Sequence, residues 1–236
     1  FIAHAPNELE KARFSAERER SIGLGAMGFH AYLQRHNIPF ESAMAKGRNM
    51  SMFWHIKSGA ETASRNLALE RGEAPDAQGT GMRNCHLLAI APNASSSIIC
   101  GNTSPSIEPY RANAYTQKTK SGTSLQKNEY LEDLLRELGM DTDEVWKSIV
   151  TNGGSVAHLE FLDDWTKDVF KTAVEIDQRW VIDMASDRQK HICQSQSLNV
   201  FFPADVSKQE LHAVHMMAWK KKVKTLYYLR SEAYKR

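Results

Sequence analysis

The sequence has little of what would place a protein in a membrane or on nucleic acid. Among its 236 residues no run approaches the ~18 consecutive apolar residues that a membrane-spanning helix requires. The amino end does not read as a signal peptide, because Glu8, Glu10 and Lys11 interrupt any apolar stretch. The 30 Lys and Arg residues nearly balance the 28 Asp and Glu residues, so no charge excess favours nucleic acid or a lipid surface. We therefore predict a soluble globular protein with no membrane contact and no direct nucleic-acid partner.

Cysteine is also scarce, and its spacing excludes two kinds of site. Cys85, Cys100 and Cys193 are odd in number and far apart, so they match neither a disulfide framework nor a CxxC metal site. His212 and His215 lie three residues apart on a predicted helix, but no HExxH motif or carboxylate partner accompanies them. We predict no metal site, and the lack of a disulfide pattern indicates a reducing, cytoplasmic location.

No internal repeat or flexible linker divides the chain, and we treat residues 1–236 as one domain. Short apolar runs predict strands, and apolar residues at spacings of three and four predict amphipathic helices. The predicted strands are 86–91, 197–202 and 224–229, with 107–118 extended, and the predicted helices are 8–20, 42–71, 129–138, 143–150, 167–188 and 207–222. Because strands alternate with helices, the pattern indicates an α/β fold with parallel pairing.

Gly23, Gly25 and Gly28 have the GxGxxG spacing of a dinucleotide-binding loop. That motif should follow a hydrophobic strand and open a helix, whereas here it follows the charged helical run 16–20. We therefore reject a dinucleotide site and predict that these small residues allow close packing of the backbone.

A turn rich in hydroxyl groups follows the predicted strand 86–91 and precedes a short helix. Its residues are Pro92, Asn93, Ala94, Ser95, Ser96 and Ser97. The first turn of a helix presents unpaired N–H groups and a partial positive charge, which together bind phosphate. Ser and Asn are also common helix caps, so ordinary capping explains the same residues. Both interpretations stay open from the residues alone.

Tyr227 and Tyr228 are adjacent in the predicted strand 224–229. Neighbouring side chains of a strand point to opposite faces, so the ordinary expectation is one ring in the core and one on the other face. A redox relay would instead need the two rings close together, which requires a bend or a bulge.

Several ordered segments together resemble the carboxyl-terminal half of the large (catalytic) subunit of class I ribonucleotide reductase. The segments are Arg83-Asn84, Pro92 to Ser97, Ser106 to Tyr110, Asp187 to Gln189, Gln194 to Asn199 and Lys224 to Arg230. The resemblance implies the second half of a ten-stranded α/β barrel, which would be incomplete by itself. It also implies reduction of ribonucleoside diphosphates to deoxyribonucleoside diphosphates by a protein-radical mechanism.

The resemblance assigns roles to both motifs. The turn from Pro92 to Ser97 would hold the diphosphate of the substrate. Tyr227 and Tyr228 would relay the radical from the small subunit, with Tyr228 nearer that subunit and Tyr227 nearer the active-site cysteine. Because the cobalamin-dependent class makes its radical beside the substrate, the double tyrosine speaks against that alternative.

The family's radical cysteine, its reducing cysteine pair and its shuttle cysteines have no counterpart in this sequence, so its three cysteines are interpreted as structural. The resemblance therefore implies four partners: a complementary amino-terminal half, a small subunit carrying the metal and tyrosyl-radical cofactor, a thioredoxin- or glutaredoxin-type reductant, and a ribonucleoside diphosphate. No cofactor would be bound by this chain itself. A split gene and a fragment of a longer chain both fit, and a non-catalytic half-barrel remains the competing interpretation.

Overall fold

The computed structural model describes residues 2–120 and 122–231, and residues 1, 121 and 232–236 lie outside this description. The helices are α1 (Glu10–Glu19), α2 (Phe29–Arg35), α3 (Ala43–Arg71), α4 (Ser96–Ile99), α5 (Glu129–Glu137), α6 (Asp143–Thr151), α7 (Asp164–Val169), α8 (Gln178–Gln189) and α9 (Lys208–Lys220). The strands are β1 (Ala114–Thr119), β2 (Gly122–Lys127), β3 (Val200–Phe202) and β4 (Leu229–Ser231). Within these residues, no helix is both long and apolar enough to cross a bilayer.

Four extended segments lie side by side in the order 22–24, 86–90, 194–202 and 227–231. Parallel bridges join Leu24 to Leu88 and Ile90 to Gln196, and β3 pairs in parallel with β4. Each connection between neighbouring segments passes through helices, as parallel pairing requires. The predicted α/β class with parallel pairing is thus confirmed, although the regular strands are shorter than the apolar runs suggested.

Local capping signals place several helices where the sequence predicts them. Ser42 accepts a hydrogen bond from Ala45 N at 3.0 Å at the start of α3, and Ser207 accepts one from Glu210 N at 3.0 Å at the start of α9. A side-chain oxygen at this position satisfies one of the N–H groups that the first helical turn leaves without a partner.

The prediction of one helix over 167–188 is wrong. The chain forms α7 and α8, with a loop at 170–177 between them. Asp177 caps the start of α8 by accepting a hydrogen bond from Arg179 N at 2.9 Å, so a new helix begins there. The loop also has apolar residues at helical spacing, and they are buried by tertiary packing although the loop is not helical. They include Phe170, Ala173 and Ile176. The predicted extended stretch 107–118 is likewise strand only from Ala114, in the antiparallel β1–β2 hairpin.

Two apolar cores stabilise the chain. The larger lies between the parallel segments and helices α2, α3, α8 and α9, and the smaller joins α5, α6 and α7 to the start of β1. Fully buried members of the larger core include Leu33, Phe53, Leu88, Ile182 and Phe202. Burying one such side chain stabilises the fold by roughly 1.5–3 kcal/mol.

A buried arginine ties three elements of the larger core together. Arg188 of α8 is 1% exposed; its Nε donates to Gln196 Oε1 at 2.6 Å, and its Nη1 donates to Asn49 Oδ1 of α3 at 3.1 Å. Burial lowers the pKa of Arg188 to about 9, so the guanidinium stays protonated at neutral pH. Gln196 in turn donates to Ala185 O at 2.9 Å, which fixes the third parallel segment against α8.

The glycines at 23–28 serve close packing, as predicted. A Cβ on Gly25 would lie 2.8 Å from Ala89 O of the neighbouring segment. Because that contact is with backbone, it cannot be relieved by a side-chain rotation. The first and second parallel segments therefore approach each other at a distance that only glycine permits at this position.

We expect Gly25→Ala to lower the free energy of unfolding by roughly 1–3 kcal/mol, the usual cost of overpacking. Gly47→Ala is the matched control, because Gly47 lies inside α3 and a Cβ there meets no atom within 4 Å. That variant should stabilise by ~0.5–1 kcal/mol through helix propensity. Urea unfolding of both variants checks this, and equal effects would contradict the close-packing role of Gly25.

Candidate functional site

The hydroxyl-rich turn at 92–97 follows the second parallel segment. Asn93 has a left-handed backbone with φ of 53°, and its carbonyl accepts a hydrogen bond from Ser97 N at 3.0 Å. The Asn93 side chain donates to Ala26 O at 3.5 Å, which links the turn to the residues that follow the first segment. Short helix α4 then begins at Ser96. The turn therefore lies at the carboxyl end of a parallel segment, the edge where ligands bind in α/β folds.

The polar groups of this turn are available to a ligand. Ser95 and Ser96 are exposed, and Ser95 makes no side-chain capping bond at the start of α4. Across residues 2–120 and 122–231, the amides of Ala94, Ser95 and Ser96 have no protein acceptor. Ser97 is buried and its hydroxyl donates to Ala94 O at 3.1 Å, which stabilises the turn itself. The capping interpretation of Ser95 therefore does not describe this structure.

A cavity of about 540 Å³ connects this turn with the fourth parallel segment. The lining includes Ala94 and Ser97 of the turn, Asn199 of the third parallel segment and Arg230 of the fourth. Its remaining lining includes residues of the 102–112 loop and of the 173–174 loop, among them Asn102, Pro105, Glu108, Tyr110, Arg111 and Ala173. The turn and the segment that carries the two tyrosines thus both contribute residues to the lining of one cavity, although Tyr227 and Tyr228 themselves are not among its lining residues.

Glu108 is a buried acid in this cavity, and the sequence reasoning assigned it no role. It is 4% exposed, and its Oε1 accepts a hydrogen bond from Asn199 Nδ2 at 2.6 Å. Burial raises the pKa of Glu108 to about 7, against the opposing effects of Asn199, Arg230 and Arg111. The signal in the sequence that could have pointed to it is its place in Ser106 to Tyr110, one of the segments on which the resemblance rests.

Tyr227 and Tyr228 lie side by side. Their ring centroids are 4.1 Å apart with an interplanar angle of 53°, and each residue is 51% exposed. The ordinary expectation of one ring in the core is therefore wrong. The guanidinium of Arg230 lies 5.1 Å from the Tyr228 ring centroid. The neighbouring Tyr228 side chain raises the pKa of Tyr227, first through hydrogen bonding and then through charge.

A one-residue bulge brings the two rings together. Val200 lies opposite Leu229 and donates to Tyr228 O at 3.0 Å. A regular parallel ladder in that register would bring Tyr228 N to Leu198 O, but Tyr227 N occupies this acceptor at 2.8 Å. The fourth segment therefore contains one extra residue relative to the third, which is the departure from strand geometry that adjacent rings require.

The three cysteines are free, and none of them belongs to the cavity lining. Cys193 Sγ accepts hydrogen bonds from Leu87 N at 3.2 Å and Leu88 N at 3.3 Å, so it contacts the second parallel segment. His215 contacts its own helix through Leu211 O at 2.7 Å. Among the described residues, no group of three His, Cys, Asp or Glu side chains is arranged to hold a metal ion.

Glu108 makes stability depend on pH. Its folded pKa of about 7 lies above the ordinary 4.5, so folding favours its protonated form. The free energy of unfolding should therefore fall as the pH rises through this window and level off above it. Glu108→Gln should remove this part of the dependence, whereas Glu144→Gln should not, because the pKa of exposed Glu144 is lowered. Urea titrations across the window check this; parallel pH curves for wild type and Glu108→Gln would contradict it.

Comparison with known proteins identifies the family. The family model described as "Ribonucleotide reductase, barrel domain" matches residues 2–80 and 75–229. The large subunit of ribonucleoside-diphosphate reductase from Invertebrate iridescent virus 6 is 52% identical over 236 residues, covering 98% of this chain and 25% of that protein. The putative large subunit from Frog virus 3 (isolate Goorha) is 54% identical over 234 residues, covering 98% of this chain and 41% of that protein.

A solved structure gives the same result. The chain superposes on the Actinobacillus ureae class Id ribonucleotide reductase alpha subunit with a TM-score of 0.92 and 41% identity, covering 99% of this chain and 43% of that one. The chain thus spans less than half the length of these relatives. The resemblance seen in the sequence is confirmed: the chain belongs to the ribonucleotide reductase barrel-domain family and corresponds to part of its large subunit.

Proposed function

We propose that this chain forms part of the catalytic subunit of a ribonucleoside-diphosphate reductase, which reduces ribonucleoside diphosphates to deoxyribonucleoside diphosphates by a radical mechanism. The observation that carries the proposal is a cavity lined both by the hydroxyl-rich turn and by the segment that holds two adjacent tyrosine rings. Relatives named as large subunits of this enzyme support the same assignment.

The turn from Pro92 to Ser97 would bind the diphosphate. Three amides without protein acceptors and two exposed hydroxyl groups supply donors to anionic oxygens. Charge-assisted hydrogen bonds of this kind are about twice as strong as neutral ones. Ala94 has no side chain beyond Cβ, so a phosphate can approach the backbone closely.

Tyr227 and Tyr228 would carry the radical. A Tyr228 radical formed from the small subunit takes one electron and one proton from Tyr227, which regenerates the Tyr228 phenol and leaves the radical on Tyr227. The centroid distance of 4.1 Å supports this step. The half-exposed rings are accessible to a second subunit, which supports the order with Tyr228 on the side of that subunit.

A complementary part of the barrel would complete the site. Among the described residues, no further backbone segment pairs with the outer edge of 22–24 or of β4. Large apolar side chains are exposed at both edges: Ile22 and Leu24 at the first, and Leu229 beside the tyrosines at the second. Such edges favour association with another chain segment. The reacting cysteines would belong to that complementary part, since none of the three here lines the cavity.

The remaining partners follow from the same proposal. A small subunit would provide the metal and tyrosyl-radical cofactor, a thioredoxin- or glutaredoxin-type protein would reduce the active-site cysteines, and this chain would bind no cofactor of its own. Three free cysteines support a cytoplasmic location. The competing function is a non-catalytic half-barrel, and a cobalamin-dependent reductase is disfavoured by the paired tyrosines.

Turnover should require the complete assembly. We expect reduction of ribonucleoside diphosphates only when this chain is combined with the complementary half and the radical-generating small subunit. Tyr227→Phe and Tyr228→Phe should each abolish turnover while leaving folding and nucleotide binding intact, because phenylalanine has no hydroxyl to oxidise. The measurement is deoxyribonucleotide formation in the complete mixture.

Tyr32→Phe is the matched control for the tyrosine substitutions. Tyr32 of α2 packs against His36 at a centroid distance of 4.5 Å and is not part of the cavity lining. Its variant should turn over like the wild type. Wild-type turnover by Tyr227→Phe or Tyr228→Phe would refute the relay, and a stable but inactive complete assembly would favour the non-catalytic alternative.

Ser96→Asp should weaken diphosphate binding. Because a carboxylate in the turn repels the phosphate groups, we expect the affinity to fall roughly tenfold or more, which corresponds to a loss of ~1.4 kcal/mol or more in binding free energy. Ser51→Asp, an exposed serine of α3, introduces the same charge elsewhere and should leave affinity unchanged. Equilibrium binding of a ribonucleoside diphosphate to the assembled large subunit checks this. Equal affinity of both variants would argue that the turn has only a structural role.

A further inference from the structure

The bulge at the tyrosine pair leaves one backbone amide without its regular partner. Tyr228 N does not bond to Leu198 O, because the extra residue shifts the register and places Tyr227 N at the position that Tyr228 N would have in a regular ladder. A side chain takes over: Asn199 Oδ1 accepts the hydrogen bond from Tyr228 N at 3.0 Å. Asn199 is 2% exposed, so water does not readily replace it as an acceptor. A buried amide without an acceptor costs about 1–3 kcal/mol.

Glu108 determines which end of the Asn199 carboxamide faces the tyrosine. An asparagine side chain has an acceptor oxygen on one side and a donor nitrogen on the other. Glu108 Oε1 accepts from Asn199 Nδ2 at 2.6 Å. If the carboxamide were turned around, its NH2 would face the N–H of Tyr228, donor against donor. The carboxyl group therefore selects the orientation in which Asn199 supports the bulge.

We propose that Glu108 and Asn199 are positioning residues for Tyr228: through two buried hydrogen bonds they stabilise the bulge that holds the Tyr227 and Tyr228 rings together. The effect that this proposal predicts on turnover rests on the proposed radical relay. Its structural content, a hydrogen-bonded chain from Glu108 through Asn199 to the Tyr228 amide, stands independently of that relay.

The surroundings of Glu108 agree with this role. A buried carboxyl group is costly unless it is hydrogen-bonded, and here burial raises its pKa to about 7. Arg111 and Arg230 oppose this shift, and Tyr110 and Tyr115 also line the cavity. Both the protonated and the ionised carboxyl group keep an acceptor oxygen for Asn199. The pair can therefore support the bulge on both sides of neutral pH.

The direct test is hydrogen exchange at the Tyr228 amide in the assembled large subunit. Asn199→Ala removes its acceptor, and Glu108→Leu keeps the side-chain bulk but leaves Asn199 Nδ2 without a partner. Both variants should accelerate exchange roughly fivefold or more, the factor for a typical hydrogen bond. Glu108→Gln retains an acceptor oxygen and should exchange like the wild type.

Turnover supplies the second measurement. Asn199→Ala and Glu108→Leu should lower kcat by roughly tenfold or more, the order of effect expected when positioning for a reaction is lost. The KM for the diphosphate should change less than kcat, because the turn at 92–97 is untouched. Glu108→Gln should keep most of the turnover, whereas a merely space-filling role for Glu108 predicts that Glu108→Leu and Glu108→Gln turn over alike.

Gln178→Ala is the matched control. Gln178 is also a buried carboxamide, and its Oε1 accepts from Phe201 N of β3 at 2.9 Å. Its removal costs the same kind of side-chain-to-strand hydrogen bond two residues from Asn199, without touching Tyr228. Exchange at Tyr228 should stay at the wild-type rate in this variant.

The outcomes separate this inference from the proposed function. Wild-type exchange at Tyr228 in Glu108→Leu, or equal acceleration in Gln178→Ala, would overturn the positioning chain. If Asn199→Ala and Glu108→Leu exchange faster but keep the wild-type kcat, while Tyr228→Phe is inactive, the role of Glu108 and Asn199 in radical transfer would be overturned. Turnover by Tyr228→Phe would instead refute the relay, and the exchange rates would still decide whether Glu108 and Asn199 support the bulge.

Discussion

Parallel pairing of the four extended segments is the constraint on which the rest of this structure depends. A parallel partner can be reached only by a crossover connection, so helices must separate the segments along the chain. These helices supply the apolar faces of the larger core, and Arg188 joins α3, α8 and the third segment within it. The same pairing directs all carboxyl ends to one edge, where the turn at 92–97 lies.

The parallel pairing is irregular at the tyrosine pair, where a function is proposed. One extra residue in the fourth segment breaks the ladder and brings two rings to 4.1 Å. The cost is an amide that the ladder no longer satisfies, and a side chain of the neighbouring segment satisfies it. Bulges of this kind typically re-aim side chains near active sites. A buried acid then holds that side chain, so the local irregularity is supported from within the cavity.

Local signals predicted most helices, because a helix start depends on neighbouring residues. Ser42 and Ser207 mark helix starts because capping depends on a few neighbouring residues. The stretch 167–188 misled, because a buried loop and a helix can show the same apolar spacing. The sequence singled out both tyrosines and the turn as candidate site residues, whereas it gave Glu108 and Asn199 no role. Their contact joins residues 91 positions apart, which no local pattern encodes.

The sequence by itself determined the α/β class, most helix boundaries and the family, because these depend on short-range periodicity, capping and recognisable motifs. It also excluded a dinucleotide loop at 23–28, whose close packing against Ala89 the structure confirms. Only the tertiary structure decided that the turn and the tyrosine-bearing segment line one cavity, and that a bulge brings the two rings together. The cavity and the ring pair depend on the pairing of segments that are distant in the sequence. A hydrogen bond between residues far apart in the chain forms only once the whole fold has brought them together.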